Sequence, residues 1–286
     1  LLVLFLSCTE STDNAITGSG TLEAREVLVS AKQNGQILQL LVNEGDAVTT
    51  GQLIAQLDME KYSIQRRQTT AGLDELRLNM ENAQRAAASA HDLLQNTEKK
   101  YLRTQALLAE GSVTQQQFDD IETAFKTAQN QYDSAETTVH SLRAKGQQVQ
   151  AQIDLLDSQI ADGQITSPLS GTVLETFAEQ GEMARIGSPI VNIADIERMW
   201  IKIYLKDAHL GQIRLGDQAQ LSISSFPNQP FIGKLTWISS QAEFTPKNIQ
   251  TKEARADLVY AVKIEVHNPD GRLKIGMPAD VQLSPF

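Results

Sequence analysis

The chain has 286 residues, 41% of them hydrophobic, and carries 35 acidic against 25 basic side chains for a net charge of -10. That length leaves room for one large domain or two to three small ones, and the acidic balance argues against nucleic acid as a partner. All eight prolines lie at or after Pro168, so nothing in the first 167 residues forbids very long helices, and the two halves are built differently.

Residues Leu1 to Leu6 are wholly apolar and lead through Ser7 and Cys8 into a polar stretch from Thr9 to Asn14. With no initiator Met and no basic leader, residues 1–17 read as the tail of an export or anchoring segment plus a linker. Cys8 is the only cysteine, which rules out an intrachain disulfide and a multi-cysteine metal site. Phe5-Leu6-Ser7-Cys8 resembles a bacterial lipoprotein processing site, with Phe where Leu is usual. Cys8 is then the lipid attachment residue; otherwise it ends an uncleaved membrane anchor. Both readings place the rest of the chain outside the cytoplasm.

Residues 18–29 read as a strand able to join a barrel formed further on. Beyond them the chain repeats itself at a fixed offset of 136: Gly35, Gly45 and Gly51 recur as Gly171, Gly181 and Gly187, and Ile37, Ile54 and Leu57 as Val173, Ile190 and Ile193. Each copy, residues 30–60 and 163–195, reads as short apolar strands punctuated by glycine turns. Neither half has enough apolar surface to fold alone, so the two are expected to close on each other as one small sandwich.

The intervening residues 61–162 carry a seven-residue period. Phe118, Phe125, Tyr132, Val139, Gly146, Ile153 and Ile160 share one register, and Ile121, Ala128, Ala135, Leu142, Val149 and Leu156 the partner register. Upstream, Leu73, Met80, Ala87, Leu94, Tyr101 and Leu108 form a matching seam with Leu76, Ala83 and Ala90 beside it. The remaining faces are polar, as in a two-stranded coiled coil. Between the seams, at about 109–114, Gly111 suits a left-handed helix end, and Thr114 with Gln117 predicts a capping box. A turn that short makes the helices antiparallel, and about 45 residues per arm at ~1.5 Å rise give a rod of roughly 65 to 70 Å.

From about residue 196 the pattern turns to period two, in Trp200–Leu205, Gln218–Ile223, Phe231–Ile238, Val259–Val266 and Ala279–Leu283, with Gly and Pro turns between. Residues 196–286 therefore predict a small antiparallel barrel.

Two half-motifs around a coiled coil resemble the membrane fusion proteins, also called periplasmic adaptors or the hemolysin-D family. The halves resemble lipoyl half-motifs in Val42-x-Glu44-Gly45-Asp46-x-Val48-x-x-Gly51-Gln52 and Ile165-x-Ser167-Pro168-x-x-Gly171-x-Val173. The resemblance covers about residues 18–286 and implies an elongated α+β fold: a split lipoyl-like β-sandwich interrupted by a long antiparallel coiled-coil hairpin and followed by a small β-barrel. It implies a bridge between an inner-membrane exporter and a TolC-like outer-membrane channel in a Gram-negative periplasm. It also implies self-association, as a hexameric ring, and attachment to the inner membrane through an N-terminal lipid or anchor. The family's tip pattern is Arg, three residues, Leu, six residues, Ser; Arg103, Leu107 and Thr114 match it, with Thr in place of Ser. Each has a plainer role open to it: Thr114 caps, Leu107 packs, Arg103 is a solvated charge. Glu243-Phe-Thr-Pro-Lys247, Thr251, Arg255 and Leu258-Val-Tyr260 resemble the branch serving ABC-type exporters, and the chain's stop after Gly276-Met-Pro-Ala-Asp-Val points the same way. A proton-driven pump of the RND or MFS kind is the alternative partner, and a coiled-coil scaffold without a transport role the next.

No enzyme is expected. His91, His140, His209 and His267 are scattered without a metal-ligand neighbour at i+4, and neither a phosphate loop nor a nucleophile elbow is present. A lipoyl carrier would need a lysine on the turn between its halves, and Lys61 falls instead in the first helical turn. No cofactor and no metal are expected.

Overall fold

The computed structural model describes residues 16–244 and 258–284. Cys8, and the Lys247, Thr251 and Arg255 part of the exporter-branch pattern, lie outside the described residues. The elements run β1 (Ile16–Ser30), β2 (Gly35–Leu40), β3 (Ala47–Val48), β4 (Leu53–Leu57), α1 (Glu60–Ala109), α2 (Gln115–Ala161), β5 (Gln164–Thr166), β6 (Gly171–Thr176), β7 (Met183–Ala184) and β8 (Pro189–Lys206). They continue with a one-turn α3 (Asp207–Leu210), β9 (Gln218–Ile223), β10 (Phe231–Phe244), β11 (Leu258–His267) and β12 (Pro278–Leu283). Two compact units result. One holds residues 32–36 and 57–164 with both long helices, and the other holds the remaining described residues.

In the strand unit the larger sheet has the order β1-β12-β9-β10-β11-β8-β6-β3, and an added β1–β8 pairing closes its first six strands into a barrel. The period-two pattern is what permits closure, because alternate residues of β9 and β12 are buried while their neighbours face water. Leu22, Ile201, Ile203, Leu221, Ile264 and Leu283 are fully buried in the barrel core. Strands β1 and β8 are continuous through two pairings: residues 16–21 of β1 pair with β12, while residues 22–30 pair with β8. β8 in turn carries β6 beside Val191–Ala194 and β11 beside residues 198–206.

The sandwich fulfils the repeat at the level of single hydrogen bonds. Gly45 N–H donates to Val173 O and Gly181 N–H to Ile37 O, both at 2.8 Å. Gly51 N–H donates to Ser167 O and Gly187 N–H to Ala31 O, again both at 2.8 Å. In every pair the second bond is the first shifted by 136 positions with the copies exchanged, so each half completes the other about a pseudo-twofold axis. Gly45 and Gly181 hold φ of 90° and 92°, which a side chain would strain. At Gly171 a Cβ would lie 2.2 Å from Ala194 O, so only glycine allows β6 to approach β8 this closely.

In the helical unit, every seam residue named from the seven-residue period is buried or half-buried, and Leu94, Ala128, Val139, Ile153 and Leu156 are buried outright. The helices contain 50 and 47 residues, or about 75 and 70 Å at ~1.5 Å per residue. At the end remote from the 110–114 turn, Arg66 pairs with Asp157, and Met59 packs on Gly163, where a Cβ would meet Met59 Cγ at 2.3 Å. The expected α+β fold, with its split sandwich, helical hairpin and barrel, is thus the fold observed.

Candidate docking tip

The turn joining α1 to α2 is closed at both ends by local chemistry. Gly111, at φ 72°, lets Ser112 N–H reach back to Leu107 O at 2.9 Å and Gly111 N–H to Leu108 O at 3.0 Å. These two bonds satisfy carbonyls that the end of α1 would otherwise leave open, in the pattern of a Schellman motif. Thr114 then starts α2: its Oγ1 accepts from Gln117 N–H at 3.3 Å, and Gln117 Oε1 accepts from Thr114 N–H at 3.0 Å. The capping box read from Thr114 and Gln117 is therefore formed on both sides.

Below the turn the seam is aromatic. Tyr101 stacks on Phe125 at 5.1 Å and 14°, and leans on Phe118 at 5.6 Å and 36°. Further along, His91 meets Tyr132 at 5.0 Å. Such pairs add about 0.5–1.5 kcal/mol each beyond the area they bury. The seam residues were legible from their spacing; that they form one stack was not, since stacking depends on how the two helices are staggered. Burial, then Glu136, raises the Tyr132 phenol above its ordinary value, while the Glu122 carboxylate one turn away holds Lys126 protonated to higher pH.

Arg103, Leu107 and Thr114 are distributed around this turn. Arg103 is exposed and pairs with no carboxylate among the described residues. Leu107 is half-buried one turn closer to the loop, on the same face of α1, and its carbonyl is the acceptor that fixes Ser112. Thr114 is exposed, with its hydroxyl engaged as the cap. Arg103 and Leu107 thus share a face, and Leu107 and Thr114 share the loop closure. His91 is a seam aromatic, and Lys61 is an exposed residue of the first turn of α1. Among the described residues no cluster of three or more metal-ligating side chains occurs, and no helix is long and apolar enough to cross a membrane.

Residues 25–195 match the model of the RND MFP barrel-sandwich hybrid domain, and residues 198–285 that of the CusB-like beta-barrel domain. A UPF0194 membrane protein from the asrC 5' region of Acidithiobacillus ferridurans is 32% identical over 98% of this chain and 90% of its own length. A UPF0194 membrane protein of Citrobacter koseri is 30% identical over 95% and 89%. Among solved structures, the crystal structure of MacA from Actinobacillus actinomycetemcomitans superposes with a TM-score of 0.72 at 20% identity, covering 95% of this chain and 79% of that one, which shows a shared fold. The chain belongs to the membrane fusion protein family, the envelope adaptors that work with inner-membrane transporters and outer-membrane channels.

Proposed function

We propose that this chain is the periplasmic adaptor of a tripartite export system, held at the inner membrane through Cys8 or an N-terminal anchor, with the 110–114 turn docking on a TolC-like channel. The observation that carries the reading is the tip itself. A five-residue turn capped at both ends, braced by an aromatic stack and flanked by an Arg103 without an ion-pair partner among the described residues, is built to present a fixed surface. Preorganisation of that kind lowers the ordering cost of docking. In this reading Arg103 offers a guanidinium to a channel carboxylate or carbonyl, Leu107 supplies an apolar contact, and the Thr114 methyl lies beside its capping hydroxyl. Six copies side by side would present six such tips, and their weak contacts would add through multivalency.

For the transporter, an ABC-type exporter is the first reading, supported by the Glu243–Tyr260 pattern. A proton-driven pump is the second, favoured by the match of both domains to models named for RND systems and CusB. Copurification from solubilised envelopes tests the whole. The wild-type chain brings down an outer-membrane channel and one inner-membrane transporter whose sequence gives its class. Arg103→Glu loses the channel and keeps the transporter. Retention of the channel by Arg103→Glu and Leu107→Asp alike would overturn the docking role of this tip.

A further inference from the structure

We propose that the hairpin carries a lateral seam for a second copy of this chain, in which the outer edge of α1 meets the outer edge of the neighbour's α2, one helical turn out of level. This deepens the proposed function and rests on its copies standing side by side; it names the edges that touch and their stagger. The two helices differ in charge, with eight basic and six acidic side chains on α1 against three basic and seven acidic on α2. Near the turn, residues 97–109 hold Glu98, Lys99, Lys100 and Arg103, and residues 115–127 hold Asp119, Asp120, Glu122 and Lys126. Glu98 offsets Arg103 in net charge, and Glu122 is paired with Lys126 at 2.8 Å. That leaves Lys99 and Lys100 on one helix against Asp119 and Asp120 on the other, none of them in an ion pair among the described residues.

These charges cannot meet within one chain. Lys99 is two residues from Tyr101 and Asp120 two from Phe118, and those aromatics face each other across the hairpin. Two residues turn a helix by about 200°, so both charges sit on outer edges, roughly 20 Å apart across two helices. Toward the base the same edges are apolar: Ile64 and Leu155, 43% and 52% exposed, stand two residues from Arg66 and the buried Ile153. Arg66 beside Asp157 and His91 beside Tyr132 fix which residues are level, Ile64 with Gln159 and Lys99 with Ala124. Leu155 and Asp120 each lie four residues closer to the turn than those positions. One displacement of about 6 Å therefore brings Ile64 to the neighbour's Leu155 and Lys99 to its Asp120 together. The match holds because Ile64 and Lys99 are 35 residues apart, as are Asp120 and Leu155. A rotation axis along the rods keeps base beside base and tip beside tip, and the contact, made between unlike edges, repeats from copy to copy around a ring. A twofold axis across the rods would set charged end against apolar end. A stagger of ~6 Å over a width of ~20 Å inclines the rods by about 17°, near the ~20° at which helices pack in coiled coils.

Paired cysteines in the full chain, oxidised in native envelopes, test this seam. Ile64→Cys with Leu155→Cys in one chain is expected to give a ladder of crosslinked multimers. Wild type and each single variant, which carry Cys8 as well, should give none, because the contact joins unlike edges. In the double-cysteine chain, Lys99→Glu or Asp120→Lys alone should lower the ladder about fivefold, and the two together should restore it. That recovery separates loss of the contact from loss of folding. A ladder as strong from either single variant, or no recovery in the charge-swapped chain, would overturn the seam. So would a mixed disulfide with a channel or transporter protein in place of the ladder, since the edges would then belong to that partner. Glutaraldehyde on wild-type envelopes tells the two failures apart. Multimers with glutaraldehyde but no cysteine ladder refute this seam and retain side-by-side copies, whereas no multimers by either route refute both.

Discussion

The two ends of the helical seam are built on different principles. Near the turn the helices are clasped by Tyr101, Phe118 and Phe125, and their ends are sealed by a Schellman motif and a capping box. Farther down, the same register places Gly146, beside an open groove of about 270 Å³ lined by Leu73, Leu76, Met80 and Leu142 among others. A single heptad pattern therefore yields a braced tip and a notched stem. Stability along a coiled coil is set locally, by the groups that fill each layer.

Substitutions can separate the two. The largest effect is expected from Tyr101→Ala, which removes both stacks and leaves a hole facing Phe118 and Phe125. It should cost about 2–3 kcal/mol and speed hydrogen exchange of the 97–125 amides while leaving barrel amides unchanged. Gly111→Ala comes next, because alanine at φ 72° is strained although the space there is open; about 1–2 kcal/mol is expected, read as earlier thermal fraying of the turn. Thr114→Ala should cost about 1 kcal/mol through the lost cap, and Thr114→Ser should restore most of it. Gly146→Ala has the opposite sign. Its Cβ would rest 3.8 Å from Leu76, ordinary contact distance, and alanine is about 1 kcal/mol better than glycine within a helix, so the melting temperature should rise.

The smallest effect is a pH dependence. The Glu122 partner raises the Lys126 pKa in the folded chain. Its contribution is therefore complete at neutral pH and is lost only as pH climbs through that raised pKa. Lys126→Met should flatten the alkaline limb of a thermal melt series without altering it at pH 7.

The architecture was legible because it is periodic. A 136-residue offset and a seven-residue period are both global signals, and the first reappears as matched pairs of hydrogen bonds in the sandwich. Local breaks hid the rest. Glu197 and Arg198 interrupt the alternation of β8, so a continuous strand from Pro189 to Lys206 reads as an end and a fresh start. Asn268 shows no pattern at all, yet it is 4% exposed, and its amide bridges Ile196 O, Leu273 O and Leu273 N–H at 2.9, 3.1 and 2.9 Å. The closure of the barrel draws on β1, β8, β11 and β12, segments far apart in sequence that only strand register brings together. The placement of Arg103, Leu107 and Thr114 around the turn was readable for the contrary reason: they lie within one short stretch of chain, where the helix ends fix their neighbours.

The most direct test of the account is site-specific photo-crosslinking in cells from a reactive residue placed at Ser112, within the turn that Leu107 and Thr114 close. Capture of an outer-membrane channel protein, lost on Arg103→Glu and retained in Gly146→Ala, is the predicted result. Capture of inner-membrane or cytoplasmic proteins alone would contradict it.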